Sequence, residues 1–156
     1  MTQMALHSNS GRYALGLSVT GVTGAAWEVS VIVRGCRFGP DGEDLEMGAE
    51  IDGVTLSSAS LNKLARALRV WVELPLEELA SHRFEGDFQL GVAPGECLDL
   101  EFGPREDLIA DGHEVVTVRL RVERFDAKYS FRTDPSCLRE FVEGIEAALR
   151  EVGLQP

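Results

Sequence analysis

Basic residues are scarce in this chain. Fifteen lysines and arginines stand against 26 aspartates and glutamates, leaving a net charge of -11 at pH 7. Binding phosphates needs a basic surface, so nucleic acid is a poor partner, and an anionic membrane is disfavoured on the same ground. Only Lys63 and Lys128 are lysines, and the arginine bias points to a GC-rich bacterial source on codon usage alone. Cysteine is scarce too. Cys36, Cys97 and Cys137 are widely spaced; an odd count with no CxxC pair argues against a disulfide framework or zinc ribbon and fits reduced, half-buried thiols. No apolar run approaches the ~20 residues of a membrane-spanning helix. Residues 1–11 lack the basic lead-in and apolar core of a signal peptide. They read as a flexible N-terminal tail on a single domain over 12–156, and the cytoplasm is the expected compartment. The motifs GxGxxG, GxxxxGK[ST], HExxH and GxSxG are all missing. The expectation is therefore no catalysis and no cofactor.

What is present is ordinary globular material, 44% hydrophobic and 26% charged, in 156 residues. Apolar residues alternate in Tyr13/Leu15/Leu17/Val19, in Trp27/Val29/Val31/Val33 and in Leu45/Met47/Ala49/Ile51. Each set reads as a half-buried strand. Gly39-Pro40-Asp41-Gly42 marks a turn, and Asp52-Gly53 reads as the end of the third strand. Leu61, Leu64, Ala65, Leu68, Trp71 and Val72 then fall on one face of a helix. Ser57, Ser58 and Ser60 offer caps before it, and Pro75 stops it. Strand alternation resumes in Phe84/Phe88/Leu90/Val92, in Leu98/Leu100/Phe102 and in Val116/Val118/Leu120/Val122, with a shorter strand over 128–132. A second helix follows from Asp134-Pro135 with the stripe Leu138, Val142, Ile145, Leu149 and Val152. No internal repeat is evident. The order predicts an α+β fold, a single antiparallel sheet of six to seven strands with helices near 58–73 and 135–152 on one face.

Candidate sites come from charge. Asp41 to Asp52 resembles a calcium loop, but Glu46 stands where the EF-hand needs glycine. Glu46, Glu50, Glu85, Asp87, Asp99 and Glu101 alternate with core positions and so project from wet strand faces. Arg119 and Arg121 do the same, and pairing of their strand with that of Asp99 and Glu101 would set up cross-strand ion pairs. Together the six acids suggest an acidic face for a basic protein partner. The alternative is a small-molecule or metal site where His82 and His113 meet.

The helix Leu61-Asn62-Lys63-Leu64-Ala65-Arg66-Ala67-Leu68 leads into Phe84-Glu85-Gly86-Asp87-Phe88. Later come Val118-Arg119-Leu120-Arg121-Val122 and Phe131-Arg132-Thr133-Asp134-Pro135-Ser136-Cys137-Leu138-Arg139-Glu140-Phe141. In this order over residues 12–152 the chain resembles WapI-type immunity proteins of bacterial polymorphic toxin systems, or related small uncharacterised bacterial families. Arg124-Phe125-Asp126-Ala127 departs from the aromatic-proline strand of that family. The resemblance implies a cytoplasmic protein that binds and blocks a toxin domain, and it carries over no specific residue. A chaperone for a secreted effector, also small, acidic and mixed α/β, is the alternative.

Overall fold

The structure, a computed structural model, describes residues 3–79, 82, 84–92, 95–103 and 114–154. Four strands come first: β1 (Gln3–His7), β2 (Ala14–Thr23), β3 (Ala26–Phe38) and β4 (Asp44–Ser57). Helices α1 (Ser58–Val72) and α2 (Leu76–Leu79) lead to β5 (Gly86–Gln89), β6 (Glu96–Phe102), β7 (Glu114–Val122), β8 (Phe125–Thr133) and α3 (Pro135–Glu151).

The expected single sheet of six to seven strands is not what forms. The strands make two separate antiparallel sheets, ordered β1-β2-β3-β4 and β5-β6-β7-β8. In each run of four, strands consecutive in sequence pair antiparallel, so each run forms its own meander, whereas α1 carries the chain away from β4 before β5 starts. The expected tail also needs correction. Within residues 1–11, Gln3–His7 pairs with β2, and Met4 and Leu6 are fully buried.

Strand β4 runs past its expected end because Asp52-Gly53 is a bulge. Val29 faces Val54 and Val31 faces Ile51, so two residues of β4 oppose Ser30 alone. Gly53 takes a positive φ of 77° there, which costs glycine little. The extra residue flips the strand's parity. Met47, Ala49 and Ile51 share the inward side before the bulge, and the buried Val54 and Leu56 share it afterwards.

Both long helices form where the sequence puts them. The Ser57 hydroxyl accepts from Ser60 N–H at 3.2 Å, and the Asp134 carboxylate accepts from Cys137 N–H at 2.9 Å. Each such cap contributes about 1 kcal/mol. Counted from these caps, the buried residues coincide. Leu61, Leu64, Ala65, Leu68, Trp71 and Val72 occupy the same positions in α1 as Leu138, Phe141, Val142, Ile145, Ala148 and Leu149 occupy in α3. The chain is thus two successive units, each of four strands and a helix.

The seams between units repeat as well. Val92 N–H bonds Thr55 O at 3.1 Å, and Asn9 N–H bonds Arg132 O at 2.9 Å. Thr55 and Arg132 each precede the helix cap by two residues. The helices run in opposite senses. Arg139 in the second turn of α3 donates to the Val72 carbonyl at the end of α1, and Arg69 grips the Glu146 carboxylate with two N–H groups. Gly144 permits close packing of α3 on β1, since a Cβ there would lie 3.3 Å from Gln3 O and Met4 Cα. One core unites these parts, from Met4, Leu17, Val31 and Leu56 in the first sheet to Leu100, Val118 and Phe131 in the second.

Candidate binding surfaces

Strand β2 starts at Ala14 opposite Arg34, but β3 and β4 go on pairing to Phe38 and Asp44. The end of this hairpin therefore projects beyond β2 as a two-stranded ribbon. Its inward side carries Gly35 and Met47. Gly35 lies against Tyr13, where a Cβ would come 3.1 Å from the ring. The Tyr13 hydroxyl donates to Cys36 O at 2.9 Å, pinning the ribbon to the start of β2.

Across from the ribbon stands the aromatic side of β8. Tyr13 stacks on Phe131 with centroids 6.2 Å apart, and Phe131 stacks on Tyr129 at 5.9 Å. The Tyr129 hydroxyl donates to Ala14 O at 3.1 Å. Between the two sides lies an open groove of about 360 Å³. Val33, Gly35, Met47 and Ala49 line one wall, Phe125 and Tyr129 the other, and Met47 is 52% exposed. Burial pushes the Tyr129 phenol far above its ordinary range, so it stays protonated, with its proton held by Ala14. Both hydroxyls are engaged with the backbone, and the groove presents chiefly hydrocarbon.

The six acids expected to share a face are divided between the sheets. Glu46 and Glu50 are exposed on the outer side of β4, in register with Cys36 and Ile32. Ser30 donates its hydroxyl proton to Glu50 at 3.2 Å. Asp87, Asp99 and Glu101 do come together, on the outer side of the second sheet, where Asp87 faces Glu101 and Asp99 faces Gln89. Partial burial, then the charges of Asp99 and Glu101, push the Asp87 carboxyl above its ordinary value. Glu85 is exposed just before β5. Strands β6 and β7 do pair, but of the two acids only Asp99 sits opposite an arginine, Arg119; Glu101 faces Thr117, and Arg121 faces Cys97 and Asp126.

His82 is exposed, with Nδ1 3.1 Å from Glu78 O, and its own carbonyl accepts from the Trp71 indole at 2.7 Å. His113 lies outside the described residues, as does the acidic loop expected from Gly103 to Gly112 apart from Gly103 itself. Among the described residues no three His, Cys, Asp or Glu side chains are grouped to hold a metal ion. The cysteines are free and half-buried. Burial, ahead of nearby carboxylates, pushes the Cys97 and Cys137 thiols up, away from the reactive thiolate. No helix among the described residues is long and apolar enough to cross a membrane.

Sequence reasoning misses the groove because its walls come from segments about eighty residues apart. The one local signal is the shared parity of Phe125, Tyr129 and Phe131. Comparison with family models, with curated proteins and with solved structures found no match.

Proposed function

We propose that this chain is a non-catalytic binding protein whose partner is another protein, basic in character and anchored by apolar side chains in the β3–β4/β8 groove. The observation that carries this reading is the groove itself, an open apolar trough walled by Met47, Ala49, Phe125 and Tyr129. Apolar anchors in such pockets supply most of the affinity at protein interfaces, and charge complementarity supplies encounter rate and selectivity. Glu46 and the net charge of -11 favour a basic partner over an acidic one. The resemblance to immunity proteins makes a bacterial toxin domain the specific candidate.

The test is to capture the partner on the immobilised chain and compare its affinity for wild type and for Ala49→Phe, which fills the groove. We expect the variant to keep its fold and lose affinity by about tenfold or more. Unchanged affinity in a folded variant overturns the proposal. The groove also favours a second reading, a chaperone holding an apolar segment of an effector. Such chaperones usually work as dimers, so light scattering on the complex separates the two: one chain per partner supports the first, a dimer of this chain the second.

A further inference from the structure

We infer that the open outer edge of β4 takes up an extended segment of the partner as an added antiparallel strand, with basic residues on its outer side and apolar residues on its inner side. The inference rests on the reading above that the partner is a basic protein, and it specifies the partner's conformation and residue pattern.

Among the described residues, β4 pairs with β3 along one edge, and its other edge is met only near its C-terminal end. There the chain itself shows what this edge accepts. Residues 90–92 lie along it in antiparallel sense, with Ser57 N–H on Leu90 O at 3.0 Å and Val92 N–H on Thr55 O at 3.1 Å. Glu96 takes the Thr55 N–H at 3.0 Å. From Asp44 to Asp52 the edge has no such neighbour among the described residues, and Glu46, Met47, Gly48, Glu50 and Asp52 along it are exposed, which suits the edge to an incoming backbone.

The side chains on this stretch state what that backbone should carry. Outward stand Glu46, Gly48, Glu50 and Asp52, all exposed; inward stand Met47, Ala49 and Ile51, which continue into the groove. From Gly39 to Asn62 there are six acids, Asp41, Glu43, Asp44, Glu46, Glu50 and Asp52, and no lysine or arginine. A second copy pairing here would set acid against acid, which is unfavourable. A strand alternating lysine or arginine with valine or leucine places cations opposite Glu46 and Glu50 and lays its apolar residues beside Met47, Ala49 and Ile51.

The experiment uses the full chain and a synthetic peptide of about eight residues alternating lysine and valine, long enough to span the open stretch. Three further probes are a peptide of the same composition with lysines and valines in blocks, the alternating peptide N-methylated at every second residue, and the variant Glu46→Lys/Glu50→Lys. Amide hydrogen exchange is read by NMR. We expect the alternating peptide to bind with Kd below about 1 mM. Alternate amides between Leu45 and Asp52 should then exchange at least about tenfold more slowly. The blocked and N-methylated peptides and the double variant should each lose about tenfold in affinity. Binding that leaves the β4 amides unprotected overturns strand addition while leaving the groove reading intact, because that reading fails on Ala49→Phe instead. Absence of binding up to about 1 mM overturns strand addition as well, and identifies the acids as a device that keeps an open edge from pairing. So does β4 protection that grows with protein concentration in the free chain, which shows that a second copy occupies the edge.

Discussion

Arg69 and Glu146 meet where the two units face each other, and each is the twelfth residue after its helix cap, Ser57 or Asp134. Their side chains are only 27% and 16% exposed, and the guanidinium contacts both carboxylate oxygens. Arg69→Met keeps the packing of the stem but leaves a mostly buried carboxylate without its cation. That should cost about 2 kcal/mol, between the value of an exposed pair and that of a fully buried one. For a chain of this size the midpoint of thermal unfolding should fall by about 5 °C. Glu146→Arg sets two guanidinium groups against each other and should cost more, about 3 kcal/mol. The swap Arg69→Glu/Glu146→Arg restores the pair across equivalent positions. It should recover about half of that loss and no more, because the carboxylate it introduces on α1 stands near Glu73 and Glu143, which now favour the Arg69 cation. Urea unfolding of the four proteins measures these differences directly, provided the m-value is constant. If the swap is no more stable than Glu146→Arg, the two side chains do not meet as described, and the opposed packing of equivalent helices is wrong.

Three further outcomes follow from the same structure. Asp134 would be raised by burial, but donation from Ser136 Oγ at 2.6 Å and from Cys137 N–H outweighs this and holds it below its ordinary value. Its stabilisation is therefore complete above the ordinary carboxylate value and is lost as pH falls through the lower folded value. Asp134→Ala should cost about 1 kcal/mol at pH 7 and progressively less in acid, by urea unfolding against pH. Asp87 is shifted the other way, so the folded state disfavours its charge at neutral pH; Asp87→Asn should raise the unfolding midpoint at pH 7, with the gain vanishing as pH falls below the ordinary carboxylate range. Glu123 holds a positive φ of 52° in the turn between Val122 and Phe125, and Glu123→Asn should stabilise the chain by about 0.5–1 kcal/mol in the same assay.

Much of the local structure is legible in the sequence. The caps at Ser57 and Asp134, the stop at Pro75 and the apolar stripes place α1 and α3 to within about a residue. Alternation likewise finds the strands from Tyr13, Trp27, Leu98 and Val116. Strand β1 escapes because five residues with only Met4 and Leu6 buried are too few to show a period. The end of β4 escapes because the Gly53 bulge shifts its apolar residues from odd to even positions, which looks like a strand ending. The division into two sheets is not legible at all. Alternation reports that a strand has one buried face; it carries no information on which strands share a sheet or what covers them. The repeat of four strands and a helix shows in the matched burial positions of α1 and α3, although the residues filling them differ, as Trp71 and Ala148 do. For the candidate surfaces, the outward placement of Glu46, Glu50, Asp87 and Glu101 is readable from strand parity. The apolar groove depends on Gly35 and Ala49 being small and on β8 lying opposite them, and both are matters of tertiary arrangement.

If a basic protein partner is drawn to the acidic outer side of β4 and anchored in the groove, its encounter with this chain depends on salt. The most direct measurement is the association rate of the captured partner as a function of salt, for wild type and for charge reversal at Glu46 and Glu50 together. Both side chains are exposed, so the variant should fold. Association should be slowed about tenfold or more at low salt, with the difference closing as salt rises. A folded variant whose association rate and salt dependence match those of wild type would contradict this reading and would reduce the acidic surface to a means of keeping the chain from aggregating.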